Sequence, residues 1–199
     1  MSARHVVVLE TPRLILRHFT PDDLEDLAAI YADPDVTRYL GNGAVKTREE
    51  TAAMMEFAFT DNRRAWSLAT LARLPQLTRA IERDAHFSLW ATIYKPDNRL
   101  IGRCGLLSWD LDGRKETEVG YVLAKSHWGR GIATEAARAS RDYGLDVLGF
   151  DRLISVIVPD NLASQRVAQK NGMRYEKDVD AKGVAARVYC IHRADPRPS

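Results

Sequence analysis

Cysteine is scarce in this chain of 199 residues, with Cys104 and Cys190 the only two. Two are too few for a disulfide framework, and neither has a thiol or imidazole close by at metal-ligand spacing. A reduced, cytoplasmic setting is therefore expected. Long apolar runs are missing too. The longest near the start, residues 6–9, is far shorter than a signal-sequence core or a membrane span, so no membrane partner is expected. Nor does one sign of charge prevail, since 29 Lys and Arg stand against 27 Asp and Glu. The basic residues are scattered, with Arg63-Arg64 and Arg114-Lys115 the adjacent pairs, whereas a nucleic-acid binder gathers them into a stripe. Five histidines lie far apart, without a ligand pair or a G-x-S-x-G partner, so neither a metal site nor a hydrolase triad is expected. Repeats, low-complexity tracts and Gly/Ser linkers are absent, which leaves one domain. Its size buries roughly 70% of the unfolded surface without staples. Residues 194–199, with two prolines, read as a disordered tail.

What is present is a change of pattern along the chain. Residues 13–19 alternate as a strand does. Pro21-Asp22-Asp23 opens a helix, since proline suits its first turn and the acids its dipole. Leu24, Leu27, Ala28 and Tyr31 give that helix an apolar face up to the stop at Asp33-Pro34. Thr47 and Glu50 form a capping box for a second helix. Trp66, Leu68, Leu71 and Leu74 suggest more helix within 63–85, broken at Pro75. From His86 the period is that of strands: 87–94, a turn at 95–98, 100–109, a turn at Asp112-Gly113, then 116–123. Residues 129–148 read as a long helix. Ile132, Ala136, Ser140, Tyr143 and Val147 share one face, and Glu135, Arg138 and Asp142 are opposite-charge neighbours on the other. Residues 153–158 are a nearly unbroken apolar run, as in a strand buried on both faces. Strand, helix, strand is a βαβ unit, so 116–123 and 153–158 should run parallel. Asp160 or Asn161 caps a helix to Asn171, Gly172 is its left-handed stop, and strands follow at 173–179 and 185–192. The fold class is α/β (α+β), a mixed and mostly antiparallel sheet of about seven strands with one parallel βαβ unit and flanking helices.

The segment 127–134 (H-W-G-R-G-I-A-T) lies just past a strand and opens the long helix. Small residues at 129, 131 and 133 allow close backbone approach, and the unpaired N–H groups of the first turn would face an anion such as pyrophosphate. No Gly-Lys-Ser/Thr follows, so this is not a Walker A loop, and Thr134 stands where the dinucleotide fingerprint has its third glycine. The same two glycines would also serve a tight turn that binds nothing.

Three segments in chain order carry a resemblance. They are Thr11-Pro12-Arg13-Leu14-Ile15-Leu16-Arg17; Glu118-Val119-Gly120-Tyr121 followed by Trp128 to Ala136; and Asn161 to Gly172. Together they resemble the GNAT acetyltransferases, and within them the Rim-type ribosomal-protein alanine N-acetyltransferases, whose opening T-x-R-L-x-L-R, acetyl-CoA motif and following helix they match in turn. The resemblance implies a single domain over 11–193, a GNAT-like fold, and transfer of an acetyl group from acetyl-CoA to a primary amine by direct attack. The acceptor would be a protein N-terminus or a small amine. Main-chain N–H groups of Arg130, Gly131, Ile132, Ala133 and Thr134 would hold the pyrophosphate. The pantetheine arm would lie between strands 116–123 and 153–158, pairing with main chain at Tyr121, Val122 and Leu123. One of those amides would serve the oxyanion. Asn161 would hydrogen-bond the pantetheine or an ordered water, and Ser164 would donate to the thioester sulfur. The chain departs from the superfamily pattern at Trp128, where the loop commonly begins with Gln or Arg, and at Met173, where Phe is usual. It departs again at Ala168, where many members carry the tyrosine that protonates the thiolate.

An α-amino group has a pKa near about 7.7–8.0, which a modest base can neutralise. Glu118, on the strand before Gly120, is the candidate base, with Glu116 a competing choice. A second reading keeps the fold without the reaction, as a non-catalytic acyl-CoA-binding module. A dinucleotide oxidoreductase is disfavoured by Thr134 and by the antiparallel strands that precede the βαβ unit. Residues 63–85 look longer than the branch has there, and are expected to shape the acceptor side or a homodimer contact.

Overall fold

Residues 6–55 and 89–198 are described in the computed structural model of the protein. The stretch 63–85, with its helical expectation, lies outside them. Alternation near the start of the chain gives two short strands rather than one, β1 (Val7–Glu10) and β2 (Leu14–Arg17), paired antiparallel. A single turn at Pro21–Asp23 leads into α1 (Leu24–Tyr31), whose buried face is Leu27, Ile30 and Tyr31. Asp23 does more than complement a dipole. It is buried, closes a capping box with Thr20, and accepts from Arg17 Nη1 and Nη2 at 2.7 Å each. Asp33 accepts from the Asp35 N–H at 2.9 Å and so caps the short α2 (Pro34–Thr37). The Thr47–Glu50 box opens α3, described over 48–55, through bonds of 2.8 and 3.1 Å.

The meander expected from the strand-period segments is β3 (Leu89–Tyr94), β4 (Arg99–Leu111) and β5 (Arg114–Leu123), with Asp112 and Gly113 both at positive φ in the β4–β5 turn. Gly102 in β4 is needed for close approach, because a Cβ there would run into the Val122 carbonyl oxygen. Next come α4 (Ile132–Asp142), β6 (Arg152–Ile157), α5 (Leu162–Lys170), β7 (Arg174–Asp180) and β8 (Ala185–His192). Among the described residues the sheet has eight strands in the order β1-β2-β3-β4-β5-β6-β8-β7, with β5–β6 as the parallel pair. The extra strand over the expected seven is β1, an edge of four residues too short to show a period.

Two faces of this sheet bury separate cores. One joins Leu14, Leu106, Val119 and Leu153 to Ile132, Ala136 and Ala137 of α4. The other packs Ala91, Ile93, Leu100 and Val122 beneath Leu27, Ile30 and Tyr31 of α1. The long helix departs from its expected course after Asp142. Residues Tyr143–Val147 widen into a π turn, the Leu148 N–H reaching the Tyr143 carbonyl at 3.0 Å. The extra residue per turn rotates Val147 out of the apolar face, and it stands 68% exposed. The charged face differs as well. Glu135 binds Arg13 across the sheet, and Asp142 pairs with Arg141 and Arg197. Arg197, in the segment that composition leaves without order, also pairs with Asp146 at 2.7 Å.

Candidate active site

The parallel strands meet at one register pair, Glu118 opposite Ile154, and then part. Beyond that point, among the described residues, β5 pairs as a strand with β4 alone, which leaves its outer main-chain edge without a strand partner. Two bonds show which residues face outward: Ser155 Oγ donates to the Val119 carbonyl at 3.0 Å, and Trp128 Nε1 donates to the Leu123 carbonyl at 2.8 Å. Main-chain groups alternate along a strand, so Tyr121 faces the gap between them. Val122 instead turns its carbonyl toward Gly102 of β4. Of the three residues expected to pair with a ligand's amides, Tyr121 and Leu123 are presented and Val122 is not. Trp128 also has a structural reason to stand at the start of its loop, because its indole ties that loop to the end of β5.

Glu118 sits at the head of this gap. It is 8% exposed, and its carboxylate accepts from the Val156 N–H at 3.1 Å and from Trp109 Nε1. Burial raises its pKa from 4.5 to about 7, against the lowering effect of those two donors. A carboxyl poised there is a competent base at neutral pH. The competing Glu116 accepts from Arg152 instead, at 3.2 Å. Glu118 lines a cleft of about 400 Å³ that runs between β5 and β6 and continues under α1 and the loop after α2.

The glycine turn ends in Gly131, the left-handed residue (φ 74°) that starts α4. A Cβ on Gly129 would meet nothing within 4 Å, so the turn is open to an incoming group. The N–H groups of Ile132, Ala133 and Thr134 have no partner within the helix, which is the arrangement that suits an anion. The Arg130 side chain is held away, its Nη2 donating to the Tyr94 hydroxyl at 2.8 Å and its guanidinium carbon 5.1 Å from that ring's centroid. Arg13 braces the turn from β2, with Nη1 donating to the Arg130 carbonyl at 2.9 Å and Nε to Glu135 at 2.6 Å. Glu135 also accepts from the Thr11 hydroxyl at 2.6 Å and the Arg13 N–H at 2.9 Å. Sequence reasoning found the opening motif but not this task. The two parts lie more than a hundred residues apart, and no local pattern joins them.

On the other wall, Asn161 caps α5 by accepting from the Ser164 N–H at 3.1 Å, which leaves its amide NH2 to donate into the cleft. Replacing Asn161 with Ala should cost about 1 kcal/mol. That is a fall in Tm of roughly 2–4 °C for a domain of this size, measurable by calorimetry. Ser164 lines the cleft one turn later. Tyr121, expected only as a main-chain contact, contributes its side chain too. Its hydroxyl is buried and makes no hydrogen bond of ordinary length and angle among the described residues, though the Ser164 hydroxyl is near enough to act on it. It stands between the cleft and a second, very small cavity lined by Ala168. Burial pushes this phenol up, with the Ser164 hydroxyl as the first opposing influence. Among the described residues there is no group of three His, Cys, Asp or Glu that could hold a metal, and no helix is long and apolar enough to cross a membrane.

Among the described residues, a mixed sheet whose parallel pair parts beside a glycine turn at a helix start frames the site. Residues 13–174 match the acetyltransferase (GNAT) domain family, and the chain belongs to that family. It is 32% identical over 182 residues to the uncharacterized protein YkkB of Bacillus subtilis (strain 168), covering 91% of this chain and 93% of that one. It is 31% identical over 169 residues to the uncharacterized N-acetyltransferase YoaA of the same organism, covering 85% and 84%. In fold it is similar to RimL, a ribosomal L7/L12 alpha-N-protein acetyltransferase solved with coenzyme A. That likeness has a TM-score of 0.70 at 16% identity and covers 95% of this chain and 99% of RimL. The protein is an acetyltransferase with a mixed GNAT fold.

Proposed function

We propose that the protein moves the acetyl group of acetyl-CoA to a primary amine by direct attack, with Glu118 as general base. The observation that carries this is the position of Glu118, a buried carboxyl poised near neutrality at the head of the gap between β5 and β6. N–H groups from Arg130 to Thr134 would hold the pyrophosphate, and the pantetheine would lie along Tyr121 and Leu123. Glu118 takes the amine's proton, and the freed lone pair forms the C–N bond at the thioester carbonyl. The oxyanion takes a hydrogen bond from the Tyr121 or Leu123 N–H. Its collapse breaks the C–S bond, and the sulfur leaves beside the hydroxyls of Ser164 and Tyr121, which act as donors where Ala168 offers none. The first proton passes from Glu118 to solvent. The attacking nitrogen, cationic once the C–N bond forms, gives up a second as the intermediate collapses, which balances the one gained by the thiol. A protein α-amino group, as in the name of the RimL neighbour, and a small primary amine both satisfy this chemistry. The free thiols of Cys104 and Cys190 support a cytoplasmic setting.

Ala168 keeps the non-catalytic CoA-binding reading in view. The deciding experiment follows thiol release from acetyl-CoA against N-terminal peptides and small amines, with Ser164→Ala alongside. Amine-dependent release is expected, and Ser164→Ala should lower kcat about 5-fold, the loss of one hydrogen bond worth about 1 kcal/mol. CoA binding without release on any amine would favour the binding module, and no CoA binding would overturn both.

A further inference from the structure

The half of the cleft under α1 holds polar groups that the transfer reaction does not use. Tyr31, the last residue of α1, is fully buried, and its hydroxyl makes no hydrogen bond of ordinary length and angle among the described residues. Burial raises this phenol's pKa, although the neighbouring Arg103 guanidinium draws it back down. Nε of Arg103 on β4 is likewise buried without such a bond among the described residues. The two are neighbours, the guanidinium carbon lying 5.3 Å from the Tyr31 ring centroid. Both line the cleft, and so does Lys46. Nearby cations are neutralised: Arg48 by Glu25, Arg99 by Asp26, Lys125 by Asp35. Arg103 and Lys46 form no ion pair among the described residues. The described lining of the cleft thus holds two cations, and Glu118 is its one carboxyl. Buried donors without partners and cations without counter-ions are costly unless a ligand supplies what is missing.

Register places this cluster in line with the base. Across β4 and β5, Leu107 lies opposite Glu118, Gly105 opposite Gly120, and Arg103 opposite Val122, so all six share one face of the sheet. Arg103 is therefore four residues along the ladder from the level of Glu118, about 13 Å of strand. Gly105 and Gly120 stand between them, and Gly120 lines the cleft together with Leu89 and Leu107, whose side chains lie within 4 Å of where its Cβ would be. An extended acceptor can lie along that surface with its amine at Glu118 and its far end under Tyr31.

We propose that Tyr31, Arg103 and Lys46 bind an anionic group, carboxylate or phosphate, carried by the amine acceptor. This deepens the transferase reading and rests on it. The substrates are then amines that carry their anionic group at a distance, acidic N-terminal peptides above all, while plain amines and polyamines are poor acceptors. Glu118 handles the reacting amine, and the cluster sets which amine arrives.

The test compares acceptors with and without an anionic group: Ala-Asp-amide against Ala-Asn-amide, β-alanine against propanolamine, and phosphoethanolamine against ethanolamine, the last pair differing by a whole phosphate. The readout is the ratio of kcat/KM within each pair. Wild type should favour the anionic member at least about 10-fold in the pair of matching length, and which pair responds separates a peptide source from a small-molecule one. In Arg103→Met the ratio should fall to about one, in Arg103→Lys it should survive in part, and in Tyr31→Phe it should drop about 3-fold. The last two variants decide the matter should Arg103→Met fail to fold. A preference that is absent in every pair, or that persists without Arg103, overturns the proposal. Absence of thiol release with all six amines would instead sink the transferase reading. The anion site would then be judged by inorganic phosphate at constant ionic strength. Phosphate should raise the Tm of wild type more than that of Arg103→Met, in which the glycine turn still takes the anion, and an equal response in both would overturn the site.

Discussion

Replacing Glu118 with Gln should lower kcat/KM for the acceptor amine by about 100-fold or more, in the range that general bases contribute. The same change should leave the protein as stable as wild type or more so at alkaline pH, and this opposition separates a catalytic role from a structural one. The native carboxyl has a pKa near 7, above its ordinary 4.5, because burial disfavours the charge. The native state therefore holds the proton more tightly than the unfolded chain. As pH rises from 4.5 to 7 the native state loses stability relative to the unfolded one, and above 7 the loss is complete, at most on the order of 3 kcal/mol. Gln carries no charge and escapes this penalty. It still accepts from the Val156 N–H but loses the bond from Trp109, which offsets part of the gain. The difference in Tm between variant and wild type should thus move in the variant's favour from pH 5 to pH 8. The rate tells the same story. Wild-type kcat/KM should climb through pH 7 as Glu118 deprotonates, and the variant should lack that limb, keeping only the one set by the amine. A variant within a few-fold of wild type at every pH would remove Glu118 from the reaction.

Local chemistry made much of this protein readable. The Thr47–Glu50 box, the Asp112-Gly113 turn, the β-branched run of β6 and the left-handed Gly172 each announce themselves within a few residues. The glycine turn is of this kind too, which is why its place at the start of α4 could be read. What could not be read is whatever depends on two distant segments meeting. Tyr31 and Arg103 are separated by two helices, residues 56–88 and a strand before the sheet brings them together. Tyr121 gave no sign that its hydroxyl would reach the cavity beside Ala168, since a strand residue's surroundings are set by its neighbours across the sheet. The π turn at Tyr143–Val147 was hidden for another reason: the helical period fits Val147 until one extra residue shifts the phase. Even the Trp128 departure becomes intelligible only once the Leu123 carbonyl is seen to be its partner.

Glu135→Ala should produce the second large effect, a loss of stability of about 2–3 kcal/mol together with a rise in KM for acetyl-CoA of roughly 10-fold. Glu135 ties the opening motif to the first turn of α4, and Arg13 carries the link on to the glycine turn. It accepts from the Thr11 hydroxyl, the Arg13 main chain and the Arg13 guanidinium, and those donors hold its carboxyl below the usual range although burial opposes them. The Arg13 side chain is 41% exposed, so solvent screens the ion pair and the larger share of the loss comes from the Thr11 and main-chain donors left unpaired. For a chain of this size the loss corresponds to a Tm lower by roughly 5–10 °C. The effect on KM has a separate cause. Arg13 also holds the Arg130 carbonyl, and once Glu135 no longer fixes the guanidinium, the turn from Gly129 to Gly131 loses its brace. Main-chain N–H groups bind an anion well only when they are held in place beforehand. Glu135→Gln keeps the acceptor oxygen and loses the charge, so it should fall between wild type and alanine in both readouts. KM for acetyl-CoA and kcat, measured for the two variants with one acceptor, would check this. An unchanged KM beside a lowered Tm would show that Thr11 and Arg13 serve the fold alone, and that the turn meets its ligand without their help.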